Sequence, residues 1–558
     1  MSKEGIKRLG ELLLEFSFIN ELQLKEGIEL QKKTDMRIGE ILVDLNYIKE
    51  DDLIQVLEFQ LGIPHINLNN YIINPQIANY IPENIARRHN VIAITQKGKK
   101  LLVAMSDPTN LIAIDDIEMS SGFKIEPRIA TEKAIKKALN NIYTFAGEDT
   151  TEIFASLNDY QKKDEPELDQ LKEMVEDAPI VKLANLIIAQ AIQMDASDIH
   201  IEPQEKDVRI RYRIDGVLSE QMNIPKYSQA ALISRMKIIA DLDITQRRIP
   251  QDGRVEMTAH GIKIDMRVST LPTVFGEKIV IRLLLKDDNL IDIDRLGFSR
   301  GNYKYFKELI DHPHGILLVT GPTGSGKSTT LFAALNHLNT AEKNIMTIED
   351  PVEYQISGVN QVQAMEKAGL TFARVLRAAL RQDPDIVMVG EIRDEETAEI
   401  AIRAALTGHL VLSTLHTNDA VGSVTRLVDM GIPSYLVAST VIGVVAQRLV
   451  RRLCKSCREK YKPETTELKS LAIKEHDTRL YRAKGCKNCN YTGYKGRLAV
   501  HEILIIDEKV REMIVKGNTE HEIENYALSA NMTSLRQDGN DKVEDGLTSF
   551  EELVRVIV

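Results

Sequence analysis

Between residues 315 and 338 an apolar run, Gly315-Ile-Leu-Leu-Val-Thr320, empties into Gly321-Pro-Thr-Gly-Ser-Gly-Lys-Ser328, and helix-prone sequence follows to Leu338. A strand, a glycine-rich loop and a helix in that order are the context of a phosphate-binding P-loop. Gly321, Gly324 and Gly326 let the backbone wrap one anion, with successive N–H groups and the positive helix end pointing at it. The predicted cradle is Gly321, Pro322, Thr323, Gly324, Ser325, Gly326, Lys327, Ser328 and Thr329. Lys327 would reach the β- and γ-phosphates, and the Ser328 hydroxyl would sit on Mg²⁺.

Three later segments have the spacing of a parallel sheet built around that loop. Ile345 to Glu353 is a strand ending in carboxylates, Asp385 to Arg393 an apolar strand ending in Gly390-Glu391, and Thr407 to His416 a strand between two histidines. Ligands of open α/β sheets lie at the carboxyl ends of the strands, so Glu349, Glu391 and His416 should converge on the γ-phosphate and its attacking water. Hydrolysis is the natural reaction.

Composition narrows the class. With 558 residues, 43% hydrophobic and 27% charged, the chain is globular and long enough for several domains. No apolar run approaches the ~18 to 20 residues that cross a bilayer. The expectation is a cytoplasmic protein, any membrane role of which comes through partners. The net charge of −11 is concentrated: residues 146 to 177 hold eleven Asp and Glu against three Lys, a net of −8. The remainder is nearly neutral, which argues against a nucleic-acid motor and its basic surface. The expected boundaries are an N-terminal helical repeat at 1–70, a small α/β subdomain at 71–145, an acidic linker at 146–178 with a short helix near Leu168 to Val175, an α+β domain at 179–295, and an ATPase domain at 296–558.

The four motifs, Gly321 to Ser328, Thr347-Ile-Glu-Asp-Pro-Val-Glu-Tyr354, Val387-Met-Val-Gly-Glu-Ile-Arg-Asp394 and Gly408 to His416, resemble in order and spelling the secretion ATPase superfamily, in particular the assembly ATPases of type IV pili and type II secretion. The likeness extends to Asp195-Ala-Ser-Asp-Ile-His-Ile-Glu-Pro203 and Arg247-Arg-Ile-Pro-Gln-Asp-Gly-Arg254 of a PAS-like second domain. It implies a multidomain α/β protein with a RecA-like P-loop ATPase domain behind that PAS-like domain. The implied machine is a Mg²⁺-dependent homohexamer that hydrolyses ATP and works on an inner-membrane platform protein to extend a pilus. A type II secretion ATPase is the alternative; a nucleic-acid motor and a nucleotide-gated scaffold lie further off. Gly390 stands where other P-loop enzymes carry a metal-binding Asp. By resemblance Glu391 polarises the attacking water with Glu349 as the competing candidate, His416 and His409 sense the γ-phosphate, and Arg267 and Arg282 reach the nucleotide as paired arginine fingers.

All four cysteines fall in Cys454-Lys-Ser-Cys457 and Cys486-Lys-Asn-Cys489. Two CxxC pairs suit one tetrahedral Cys₄ zinc site within an insertion at 450–500, and a cytoplasmic chain disfavours a disulfide.

The N-terminus carries an internal repeat: Arg8 to Gln31 and Arg37 to Gln60 match at nine of 24 positions. Helical packing explains the Leu and Ile periodicity but not the matched Arg, Gly and Gln. The pair resembles the motif of the MshE-type N-terminal domain, which binds cyclic di-GMP. The residues it implies are Arg8, Leu9, Gly10, Leu13, Leu24, Ile28 and Gln31, with Arg37, Ile38, Gly39, Leu42, Leu53, Leu57 and Gln60. Ser17 and Asn46 replace the Gly often found at the tenth position.

Overall fold

The chain divides into two units, Met1–Lys286 and Asp287–Val558, in a computed structural model that describes residues 8–34, 37–68, 71–73, 75–143, 178–259, 262–285, 292–471 and 479–557. The acidic segment read as a linker lies almost wholly in 144–177, outside the described residues.

In the first unit each N-terminal repeat folds as two helices: α1 (Leu9–Glu15) and α2 (Glu21–Gln31), then α3 (Ile38–Asp44) and α4 (Glu50–Leu61). The intervening turns pass through the left-handed region at Ser17 and Asn46, φ 60° and 56°, the conformation for which glycine is the usual choice and Asn the best substitute. Leu12, Leu13, Ile19, Leu42 and Ile48 form the core of these helices. A second layer follows, with β2 (Val91–Lys97), β3 (Lys100–Met105) and β4 (Lys124–Ile129) as a three-stranded sheet, packed by the helices Leu111–Ser121 and Glu132–Tyr143.

The larger sheet of this unit has the order β1-β8-β9-β10-β5-β6-β7. Its strands are β1 (Tyr71–Ile72), β5 (Ala196–Pro203), β6 (Asp207–Ile214), β7 (Val217–Pro225), β8 (Gln251–Ala259), β9 (Ile262–Thr273) and β10 (Gly276–Leu285). All pairings are antiparallel except β1 with β8. Alternation sends Ile264, Met266 and Val268 of β9, and Ile279, Ile281 and Leu283 of β10, into the core beneath the helices Ala178–Gln193 and Gln229–Ile239. The opposite face therefore collects the charged residues.

The second unit is built on a sheet of order β13-β12-β14-β15-β11-β16-β19, parallel throughout except that β19 runs against β16. The strands are β11 (Gly315–Thr320), β12 (Ile345–Glu349), β13 (Asn360–Gln363), β14 (Ile386–Val389), β15 (Leu410–Leu415), β16 (Val441–Leu453) and β19 (Tyr494–Ile505). β17 (Glu459–Tyr461) and β18 (Leu480–Arg482) pair within the cysteine insertion. Apolar clusters cover both faces of the sheet, which is why β11, β14 and β15 read as unbroken apolar runs. Among the described residues no helix is long and apolar enough to cross a membrane.

Candidate functional site

β11 is buried along its whole length and delivers the chain into the P-loop at Gly321. A Cβ at this position would strike the Gln447 carbonyl oxygen on the neighbouring strand β16, so only glycine lets the loop pass that close. The helix Lys327–Leu338 starts without a side-chain cap on its first N–H groups, leaving them for an anion. Lys327 is buried and folds back over the loop, its Nζ donating to the carbonyls of Gly321 (2.8 Å) and Pro322 (3.2 Å). Burial pulls its proton affinity below that of an ordinary lysine; the Glu391 charge opposes this and Arg448 adds to it. The buried Ser325 Oγ has no hydrogen-bond partner among the described residues. An unspent hydroxyl, free helix N–H groups and a folded-back ammonium are the donor set a nucleotide phosphate requires.

The carboxyl ends of β14 and β15 bring Glu391 and His416 together, Nε2 of His416 lying 3.3 Å from Oε2 of Glu391. Arg393 Nη2 donates to the other carboxylate oxygen at 2.5 Å. Burial alone would raise the Glu391 carboxyl, but bonding and charge from Arg393 and His416 outweigh it and hold it below its ordinary value. Glu349, closing β12, is buried and pushed the other way. Burial raises its carboxyl even though Thr347 Oγ1 (2.6 Å) and Gln361 Nε2 (3.1 Å) donate to Oε1. A Cβ at Gly390 would lie 3.1 Å from the Ile348 carbonyl oxygen, so β12 leaves little room there for the aspartate of other P-loop enzymes.

His409, expected to share the site, does not reach it within this chain. It precedes β15 rather than following it, with Nδ1 2.9 Å from the Ala404 carbonyl oxygen. Seven steps at ~3.3 Å per residue along β15 separate it from His416 by about 23 Å.

Arg267 and Arg282 face each other on β9 and β10, with Arg254 opposite Arg267 on β8. Three cations thus share one cross-strand row, an arrangement that is destabilising when uncompensated. Two are compensated. Asp265 accepts from Arg254 Nε at 2.8 Å, and the buried Asp198 accepts from Arg282 Nε at 3.0 Å. Arg267, between them, has no ion-pair partner among the described residues.

The four cysteine sulfurs lie within 4.8 Å of one another. Cys454 is 3.9 Å from Cys486, Cys457 is 3.8 Å from Cys489, and Cys486 is 3.7 Å from Cys489. A tetrahedron of Zn–S bonds of ~2.3 Å has edges of ~3.8 Å, so the cluster could hold a metal ion of that size. Burial would raise the Cys489 thiol, but N–H donation from Cys486 and Gly493 outweighs it and holds the thiol at about 7.

The N-terminal repeat is symmetric in its bonds as well as its letters. Arg8 and Arg37 each stand at a helix start, their backbone N–H donating to Glu11 and Glu40 at 3.1 Å. Two expectations change. Leu13 and Leu42 are fully buried and belong to the core rather than to a ligand face. A Cβ at Gly10 would meet Leu24 Cδ1 at 2.7 Å and one at Gly39 would meet Leu53 Cδ1 at 2.9 Å, so these glycines admit leucines of the same repeat. Arg8, Ile28, Gln31 and Arg37 remain exposed, and Arg37 Nη2 donates to Asp107 at 2.6 Å. Leu9, Leu24, Ile38 and Leu57 pack partly buried around the core.

Sequence reading missed Gln447, Arg448, Arg393 and the Thr320–Thr417 pair. Arg393 bonds Glu391 two residues away, whereas Gln447, Arg448 and the Thr320–Thr417 pair meet the loops only through the order of the sheet strands. Nothing local separates Arg448 from Arg451 or Arg452 beside it.

The family model for the type II/IV secretion system protein matches residues 173–555, and the MshEN domain matches 61–149, which holds the three-stranded sheet. The chain is 45% identical to the type IV pilus assembly ATPase PilB of Myxococcus xanthus over 98% of both chains. It is 51% identical to the type II secretion system ATPase E of Vibrio cholerae over 70% of this chain and 78% of that one. Among solved structures, the ATPase DotB of Legionella pneumophila superposes with a TM-score of 0.50 at 23% identity, covering 67% of this chain and 95% of its own, a likeness of fold. The chain belongs to the type II/IV secretion system protein family and is one of its P-loop ATPases.

Proposed function

We propose that the chain is a hexameric ATPase that extends a type IV pilus by driving a platform protein at the inner membrane. The observation that carries this reading is the 98% reciprocal coverage of a pilus assembly ATPase, N-terminal repeat included. Lys327 and the helix N–H groups would hold the β- and γ-phosphates of ATP, and Ser328 would hold Mg²⁺, which would neutralise phosphate charge. Glu391 orients the attacking water and takes its proton, and His416 donates to the γ-phosphate. Arg267 and Arg282 supply positive charge from a neighbouring subunit. Cys454, Cys457, Cys486 and Cys489 would hold zinc, which would close the insertion between β16 and β19 as in structural Cys₄ sites. Deleting the gene tests the reading: pili should vanish while type II secretion continues. Loss of secretion with pili intact overturns it in favour of the secretion ATPase.

Cyclic di-GMP is the regulator we assign to the repeat of residues 8–60. Supporting this are the adjoining MshEN match and the equivalent placement of Arg8 and Arg37, which offers a pseudo-symmetric dinucleotide two like cations. Arginine pairs with guanine O6 and N7 or with phosphate. Calorimetry on the full chain should give a one-to-one complex, weakened at least tenfold, or about 1.4 kcal/mol, by Arg8→Ala or Arg37→Ala. No detectable heat at high micromolar ligand rules the regulator out.

A further inference from the structure

β16 runs parallel to β11 with Ala446 opposite Thr320, so the next two residues, Gln447 and Arg448, stand beside the opening of the P-loop. The buried Gln447 bridges two parts of the nucleotide-binding element. Its Nε2 donates to the Ser325 carbonyl at 2.8 Å, and its Oε1 accepts from Thr330 Oγ1 at 2.7 Å. The half-buried Arg448 points elsewhere. Its Nη2 donates to the Asn418 carbonyl at 2.6 Å and its Nη1 to the Gln447 carbonyl at 3.2 Å. Nη2 also reaches the Asn418 side-chain Oδ1 at 3.4 Å; no carboxylate of the described residues comes within ion-pair distance, so both groups of Asn418 and the Gln447 carbonyl are what this cation holds. A Cβ at Gly321 would be 3.2 Å from Nη1, which places the guanidinium against the first glycine of the loop.

Asn418 lies in the short segment that begins at His416 and ends at Asp419, whose side chain caps the helix Ala420–Asp429. The same segment is hooked a second time. Thr417 N donates to Thr320 Oγ1 at 3.0 Å, and the two threonine hydroxyls are 2.6 Å apart. Two consecutive residues after His416 are thus fastened to the rim of the P-loop, one by a hydroxyl pair and one by a charged donor. Hydrogen bonds from charged donors are roughly twice as strong as neutral ones.

We propose that Arg448 is a positioning residue for hydrolysis: by holding the 416–419 segment against the P-loop it fixes where His416 stands relative to the bound triphosphate. The proposal rests on the reading that His416 meets the γ-phosphate. Arg448 acts through the Asn418 carbonyl and leaves the ground-state grip on nucleotide to the P-loop. Its removal therefore slows turnover more than it weakens binding.

The test is a double-mutant cycle on the full-length protein, with steady-state phosphate release for kcat and KM and a fluorescent ATP analogue for affinity. Arg448→Met is expected to lower kcat about tenfold while KM and analogue affinity stay within about threefold. Arg448→Lys, which keeps the charge and one donor, should recover much of the loss. Combined with His416→Ala, Arg448→Met should add almost nothing, because both changes disable one element; residues that act independently add. A kcat within twofold of the parent for Arg448→Met overturns the proposal, as does full additivity in the double variant. A tenfold loss of affinity with kcat unchanged also overturns it, making Arg448 a nucleotide ligand. Should Arg448→Met fail to fold, Arg448→Gln enters the same cycle, with parental analogue binding as the check of fold. If His416→Ala turns over at the parental rate, the reading of His416 falls together with the proposal. If His416→Ala is slow and Arg448→Met is not, only the proposal falls.

Discussion

Lys327→Ala should abolish ATP turnover, and Glu391→Gln should bind ATP but not hydrolyse it. The two losses differ in kind. Lys327 is the buried cation of the P-loop, its Nζ held by the Gly321 and Pro322 carbonyls. Truncation removes the charge that bridges the β- and γ-phosphates in both ground and transition states, so affinity and rate fall together. Glu391 is one isosteric change away from keeping every contact except the negative charge that orients water. Losing a positioned general base costs ~10² to 10⁴ in rate. Phosphate release and nucleotide affinity, measured on each variant after circular dichroism confirms its fold, separate the cases. Near-parental hydrolysis by Glu391→Gln would transfer the role of base to Glu349, whose carboxyl burial raises.

Mixing two inactive proteins should restore activity. Arg267→Ala and Lys327→Ala are each expected to be silent alone, since an arginine finger is worth ~10³ to 10⁵ in rate. If the chain assembles as proposed, an intact P-loop of one subunit in a mixed ring can meet an intact Arg267 of the next. A titration of one variant against the other, followed by phosphate release, should give a bell-shaped rise with its maximum near equal amounts. A flat, inactive profile across the series would mean that the arginines serve the P-loop of their own chain.

Where a motif is contiguous and its backbone does the chemistry, the sequence was enough. Gly321 to Ser328 specifies strand, loop and helix in one stretch, and the CxxC pairs specify a four-sulfur cluster because each knuckle brings its own two ligands. The repeat also announced its paired helices, since each Arg-Leu/Ile-Gly-Glu start caps one helix through Glu11 or Glu40. What could not be read was anything set by strand order. His409 and His416 look equivalent along the chain, yet they bound opposite ends of β15, and only the sheet reveals which end faces the nucleotide. Arg448 belongs to the site because β16 lies next to β11, a neighbour relation spanning more than a hundred residues. Leu13 and Leu42 mislead for a related reason: a leucine matched between repeats fits a core as well as a ligand face, and burial alone decides.

The row Arg254, Arg267 and Arg282 has a thermodynamic corollary. Three guanidinium groups at one register repel one another, and the aspartates at its flanks leave the central charge uncompensated. If nucleotide phosphate from an adjoining subunit meets Arg267, it relieves that repulsion. Its binding energy then appears partly as cohesion of the ring. By reciprocity the proposed ring would then raise nucleotide affinity by the same factor with which nucleotide favours the ring, and added salt, which screens both the repulsion and its relief, would weaken the two together.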